Sequence, residues 1–417
     1  MNRCLRSFPL ICSQKPKILL GQRYSLSMLK TCNVCNSGEL ETVWELPDFP
    51  LTGIYVENLQ GVSYDNEYQQ ELQFCQNCSH AQLGNQIDPT FLYRDTYTHR
   101  TSESPISAGG NRYLLEYIRS VTGNREFNQV LEIGCNDLFL LDNLKDRSRN
   151  QAGVDPIWSD GVNVSEGGVR LWGGFAESVD YDALLHTKAD LVITAHTFEH
   201  ITDPRLAIES LNGHLSEDCL FIVEVPSAER MLEQGRLDQV FNQHVNYYSV
   251  TSVEKLLSPL GFRLIDMDYN FSYWGGTQLL TFSRADQSNQ PIPKRQINRE
   301  TYLQGVATFL ASMENTSKQI ENSRGPVYLY GAAQMLPSLI YHFSVEAKEK
   351  IAGIIDDNPM RQNRYFPNLK TKIVSSDDLP DLSNATLVIS ALDSARPILS
   401  RLLGQRIRTL IIPNGLI

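Results

Sequence analysis

Beyond about residue 105 the chain alternates two hydrophobic periodicities. Apolar positions spaced three and four apart over Tyr113–Val121 predict an amphipathic helix, and the short apolar run Gln129–Ile133 predicts a buried strand. A helix is expected over Leu138–Leu144, then a strand closing at Gly153–Pro156 and strands over Ala189–Thr194 and Leu220–Pro226. Apolar runs that alternate with helices predict an α/β fold with a mostly parallel sheet, whose ligand sits at the carboxyl ends of the strands. After a polar, proline-containing stretch at 286–296, a helical stripe runs through Leu303, Val306, Leu310, Met313 and Ile320. Val327–Ala333 then restarts a strand, small-residue turn and helix, followed by strands at Ile351–Ile355, Thr386–Ser390 and Thr409–Ile412. The expected organisation is a basic extension at 1–27, a small domain at 28–88, an α/β domain at 89–285, a linker and helix at 286–322, and a second α/β domain at 323–417.

Composition narrows the function classes. The chain has 417 residues, 41% apolar and 20% charged, and a net charge of −11. No stretch approaches the roughly 18 consecutive apolar residues of a membrane-spanning helix. The acidic balance opposes nucleic-acid binding, and nothing in the sequence suits an acidic membrane surface. The first 27 residues differ: Arg3, Arg6, Lys15, Lys17 and Arg23 are accompanied by no acid. A mis-assigned start before Met28, a targeting segment and a genuine arm are the readings open there.

Four of the eight cysteines are paired by spacing: Cys32-Asn33-Val34-Cys35 and Cys75-Gln76-Asn77-Cys78. A C-x-x-C turn sets two thiolates on one side of a knuckle, and two knuckles close a tetrahedral Cys4 zinc site. Strand-like Thr42–Leu46 and Tyr68–Phe74 lie between them, as a zinc ribbon requires. Such a site has no open position, so the expectation is a structural ion that folds a small module. Iron–sulfur or redox pairing and unligated thiols are the alternatives. Unpaired cysteines beside a zinc knuckle suggest a reducing compartment, the cytoplasm.

In the central region the informative residues gather at strand ends. Gly134 allows a tight turn beside a ligand at a helix start, and Asp155, at the end of the next strand, is placed to accept hydrogen bonds from ribose hydroxyls. The dinucleotide pattern G-x-G-x-x-G is absent, so a nucleoside without a pyrophosphate bridge fits better than NAD. A ligand-free α/β domain remains the bland alternative. His196 and His200 are four apart, a spacing also seen in metal sites, but no third ligand is evident from the sequence.

Val130-Leu131-Glu132-Ile133-Gly134-Cys135-Asn136-Asp137 resembles motif I of class I S-adenosylmethionine-dependent methyltransferases. More closely, the chain is similar to sugar C-methyltransferases acting on nucleotide-linked deoxysugars. There a Cys4 zinc domain precedes the methyltransferase domain and a Rossmann-like domain follows it. The match runs from Met28 to Ile417 through the two knuckles, Glu224-Val225-Pro226, Gln243 to Ser249, Gly275-Gly276 and Asp356-Asp357-Asn358-Pro359. The resemblance implies S-adenosylmethionine as cofactor, held by Glu132, Gly134, Asn136, Asp155 and His196, and a structural Zn2+ on Cys32, Cys35, Cys75 and Cys78. It implies His244 as catalytic base with His200 beside it, and Tyr97, His99 and Gln243 at the substrate. It also implies that the last domain helps hold a nucleotide or sugar, with Arg361 and Arg364 as available cations.

Three departures bear on the chemistry. The family's Y-x-E-H is Phe241-Asn242-Gln243-His244 here, its His-Gly-Gly-Ser is Trp274-Gly275-Gly276-Thr277, and its third motif I glycine is Leu138, expected to crowd the methionine end of the cofactor. The leading expectation is C-methylation of a nucleotide-linked ketosugar or related small molecule by a monomer, with neither nucleic acid nor membrane as partner. The departures leave O- or N-methylation and a non-catalytic binding protein as alternatives.

Overall fold

A computed structural model describes residues 27–60, 69–92, 100–271, 275–284, 292, 295–378 and 382–413. Tyr97, His99, Trp274 and the basic extension up to residue 26 lie outside the described residues.

The central sheet has eight strands, in the spatial order Arg263–Asn270, Thr277–Ser283, Leu215–Val225, Ala189–Ala195, Phe127–Ile133, Ser148–Val154, Arg170–Gly173 and Gly161–Val164. The five strands from Leu215–Val225 to Arg170–Gly173 pair in parallel, whereas Thr277–Ser283 is antiparallel to both neighbours and Gly161–Val164 is antiparallel to Arg170–Gly173. That outer Gly161–Val164 strand is not signalled by an apolar run, because its residues alternate between half-buried and exposed on an edge. The first helix is longer than its apolar stripe, spanning Pro105–Thr122, because Ser104 caps it by accepting from the Ser107 N–H and Pro105 fits its first turn. Chain order reverses about Phe127–Ile133, which puts a ligand crevice at its carboxyl end.

A second sheet, all parallel, runs Ile373–Val374, Ile351–Ile355, Val327–Tyr330, Thr386–Ile389, Thr409–Ile411. Its order reverses about Val327–Tyr330 in the same way.

The cysteine pairs flank an antiparallel sheet of Leu40–Leu46, Gln70–Cys75 and Ala81–Leu83. Its fourth strand is Asn246–Tyr247, which pairs with Ala81-Gln82 from far along the chain. The helix Arg299–Glu321 packs on this sheet, with Tyr302 against Phe74 and Phe309 against Trp44 at ring separations of 5.3 and 5.7 Å. The expected stripe is therefore corrected by a small rotation. Tyr302, Val306, Phe309, Met313 and Ile320 are buried, while Leu303 and Leu310 face solvent. Burying two aromatic rings outweighs burying two leucines at the margin of the face. One hydrophobic core joins Trp44 and Phe49 of the cysteine module to Leu336 and Phe343 of the second parallel sheet.

Candidate active site

Gly134 ends the Phe127–Ile133 strand with φ +83°, and its N–H donates to the Val154 carbonyl at 2.7 Å. A Cβ there would stand 1.8 Å from Thr197 Oγ1, so the position admits only glycine. Asp155 closes the turn: Oδ2 accepts from the Asn136 N–H at 2.9 Å and Oδ1 from the Ile157 N–H at 3.0 Å. Burial raises its pKa, against the pull of those two N–H groups. Each oxygen keeps capacity for a hydroxyl donor on the cavity side. Glu132 is 3% exposed, with one oxygen making no hydrogen bond; burial first, then the charges of Asp155 and Asp137, push its pKa well up.

Asn136, Leu138 and His196 all adopt positive φ around this turn, a concentration of backbone strain that marks functional sites. Leu138 does not line the cavity. It packs in the core with Leu114, Leu141 and Leu191, so the expectation that it crowds the cofactor is corrected: the chain accepts a left-handed leucine, at about 1–2 kcal/mol, instead of a glycine.

A cavity of about 700 Å³ opens between the carboxyl ends of the two parallel sheets. Glu132, Gly134, Asn136, Asp155 and His196 line one side, and Gly331, Asp356, Arg361 and Arg401 the other, with His200, Phe241 and His244 between. A narrower slot of about 100 Å³ adjoins Asp155, bounded by Ile157, Phe175 and Ala176, and suits a planar apolar ring. Thr197, Ile157, Phe175 and Ala176 escaped the sequence reading, being ordinary apolar or small residues that gain meaning only from their position around Asp155.

The histidine wall is built from two segments. The turn Phe198–His200 follows the Ala189–Ala195 strand, and His244 precedes the Asn246–Tyr247 strand. They are tied together: the Val245 N–H donates to the Glu199 carbonyl at 2.8 Å, and Asn246 Nδ2 donates to the carbonyls of Phe198 and Ile201 at 3.2 and 2.7 Å. His244 sits with its ring 4.7 Å from that of His200 and 4.2 Å from that of Phe241. His200 Nδ1 is 2.8 Å from the Gln243 carbonyl oxygen. Burial lowers the pKa of both His200 and His244. His196 Nδ1 lies 3.4 Å from a Glu199 oxygen. Against burial, His196, His200 and His244 together hold the Glu199 carboxyl down at about 2.

Glu199 is the acid the sequence reading passed over, although it stands next to His200. Gln243 is placed otherwise than as a substrate contact. It is 4% exposed, its amide donates to the Thr52 carbonyl at 2.6 Å, and its oxygen accepts from the Thr52 hydroxyl, so it braces the wall from behind. Tyr247 and Tyr248 are buried, their hydroxyls engaged with the Phe241 N–H and the Phe198 carbonyl.

On the far side, Gly331 takes φ +110° and donates to the Ile355 carbonyl at 2.8 Å. Asp356 accepts from the Ala332 and Asn358 N–H groups at 2.7 and 2.9 Å and from Arg361 at 3.3 Å. A buried clamp locks this side to the central sheet: Arg236 donates to both oxygens of Asp238 and to Asp393.

Cys32, Cys35, Cys75 and Cys78 converge, with Cys32 to Cys78 and Cys35 to Cys75 each 3.6 Å apart. A tetrahedron with Zn–S bonds of about 2.3 Å has edges of about 3.8 Å, so the four sulfurs fit zinc, and they are far beyond disulfide bonding distance.

The parallel sheet with its antiparallel penultimate strand, the glycine turn and the acid at the next strand end define a class I methyltransferase fold. Residues 106–266 match a family model described as "Methyltransferase domain", and residues 32–93 one described as "Putative zinc binding domain". The chain is an S-adenosylmethionine-dependent methyltransferase with a zinc-binding domain ahead of its catalytic domain. It is 25% identical to C-methyltransferase NovU of Streptomyces niveus over 362 residues, covering 83% of this chain and 86% of that protein. Solved structures similar to it include N-methyltransferase NodS of Bradyrhizobium japonicum in complex with S-adenosyl-L-homocysteine, at 13% identity and TM-score 0.33, covering 48% of this chain and 96% of that one. Another is magnesium protoporphyrin IX methyltransferase of Synechocystis with bound S-adenosylmethionine, at 13% identity and TM-score 0.31, covering 47% and 89%. Among the described residues no helix is long and apolar enough to cross a membrane.

Proposed function

We propose that the protein transfers a methyl group from S-adenosylmethionine to a carbon beside a ketone in a nucleotide-linked sugar. The observation that carries this reading is the single cavity bordered by two unlike walls. One offers carboxylates and a glycine turn to a ribosyl sulfonium; the other carries the guanidinium groups of Arg361 and Arg401, ion-paired to Asp356 and Asp357, toward an anionic acceptor. Asp155 receives the ribose hydroxyls, the slot at Ile157, Phe175 and Ala176 takes the adenine, and Glu132, Gly134, Asn136 and His196 border the rest of the cofactor. Similarity to a C-methyltransferase over most of the chain supports carbon as the acceptor atom.

His244 takes the proton of the acceptor carbon. Bound S-adenosylmethionine would supply the electrophilic sulfonium methyl, which the resulting carbanion would take in line as the carbon–sulfur bond breaks to leave a neutral sulfide. Burial and then the charge of His200 lower the His244 pKa and keep the ring neutral, while the nearby Glu199 carboxylate pulls the other way and favours the imidazolium formed when the proton is taken. Phe241 has no hydroxyl for the developing oxyanion, and His200 beside it, with its Nδ1–H committed to the Gln243 carbonyl, supplies no donor there either. Arg361 and Arg401 face the acceptor's phosphates. The test uses S-adenosylmethionine carrying a 13C methyl and a panel of nucleotide-linked ketosugars. The expected product shows a new carbon-bound 13C methyl by NMR, lost in His244→Ala. A methyl on oxygen or nitrogen would overturn the assignment.

A further inference from the structure

Glu199, His200 and His244 meet on the cavity wall, and one ligand atom from each lies within 4.8 Å of the others. Metal bonds of about 2.0–2.2 Å to nitrogen and oxygen bring such donors about 3–4 Å apart, so small side-chain rotations would close the set around one ion.

Two further observations point to a cation. Glu199 is 1% exposed, neither of its oxygens makes a hydrogen bond, and the nearest basic atom is His196 Nδ1 at 3.4 Å. Paired only through that long contact, the buried carboxylate keeps lone pairs for a further cation. The second is the orientation of His200. Its Nδ1 contacts a carbonyl oxygen, which only accepts, so Nδ1 carries the proton and Nε2 presents a lone pair. Metal-ligating histidines are commonly oriented by such a bond. His200 and His244 also line the cavity, which leaves room for further ligands on an ion held there. One carboxylate with two imidazoles suits first-row divalent ions, unlike the four thiolates of the cysteine module.

We propose that Glu199, His200 and His244 form a second divalent-cation site, separate from the Cys4 zinc site, for an ion such as Mn2+, Co2+ or Zn2+. We propose further that its occupation silences methyl transfer. The spread of the donors marks a site that an ion must draw together, in competition with the contact between Glu199 and His196. A coordinated His244 cannot also serve as base; this second half of the inference rests on the base role proposed above, and the binding half does not.

The experiment titrates Mn2+ into the full chain with its Cys4 zinc retained, following free Mn2+ by electron paramagnetic resonance. One Mn2+ per chain is expected to bind. Glu199→Gln and His244→Ala should each weaken binding by at least about tenfold, at unchanged zinc content and melting temperature, while His186→Ala, at a residue that lies outside the cavity lining and whose N–H donates to Gln129, should leave binding as in the parent. If Glu199→Gln fails to fold, the cavity-facing His244→Ala decides alone. Absence of Mn2+ binding, or binding indifferent to the site variants, overturns the site. Turnover should fall in proportion to Mn2+ bound, and a rise overturns the silencing. If no acceptor is methylated at all, the failure belongs to the proposed reaction, and the binding measurement still decides the site.

Discussion

The glycine turns at Gly134 and Gly331 are built alike and end differently. In each, the glycine N–H donates to the last carbonyl of the neighbouring strand, and the acid after that strand accepts two backbone N–H groups, Asp155 from Asn136 and Ile157, Asp356 from Ala332 and Asn358. At Asp356 a third donor arrives, the Arg361 guanidinium, lying over the Tyr55 ring. No ion pair is formed by Asp155 among the described residues, and its free capacity faces the cavity. The same backbone device thus leaves a carboxylate open to a hydroxyl in one half and an ion-paired carboxylate in the other. Side chains, more than fold, decide which end of a reaction each half can hold.

The sharpest break is at the glycines. Gly134→Ala would set a methyl against Thr197, and Gly331→Ala would set one 2.2 Å from Ala391 Cβ, both at positive φ. Each should destabilise by about 3 kcal/mol in denaturant titration, but only Gly134→Ala should also abolish S-adenosylhomocysteine binding in calorimetry. Next comes Asp155→Ala, expected to weaken S-adenosylhomocysteine by about 10- to 100-fold, the worth of a charged hydrogen-bond acceptor; Asp356→Ala should leave that affinity nearly unchanged. Equal losses in both would dissolve the contrast. Arg361→Ala should raise KM for an anionic acceptor by about tenfold and spare cofactor affinity.

The smallest effect concerns pH. His342, buried against Trp44 and Phe309 beneath the second sheet, is held down at about 3 by burial. The unfolded chain binds a proton there below about 6.5 that the fold refuses, so this contribution is complete above pH 6.5 and declines as pH falls toward 3. Between pH 6.5 and 5.5 the loss should be about 1 kcal/mol. His342→Phe should flatten that part of the melting-temperature profile.

The cysteine knuckles, the Gly134 turn and its acid, and the alternation of strand and helix were legible because each is set by neighbours close in sequence: a bite of two thiolates, a forbidden Cβ, an apolar period. The buried face of Arg299–Glu321 was only partly legible, since which aromatics it hides depends on a sheet formed some 230 residues earlier. Gln243 is expected at the substrate and instead serves Thr52, a contact across 191 positions. The histidine wall is the extreme case. Glu199 carries no signal in the sequence and His244 only through the family resemblance, and they meet because Asn246–Tyr247 completes the cysteine module's sheet and draws its own loop against the Phe198–His200 turn. Sequence alone determined the parts whose geometry is local. Tertiary structure decided which charges face each other, because burial and long-range pairing set what a carboxylate or an imidazole finds within reach.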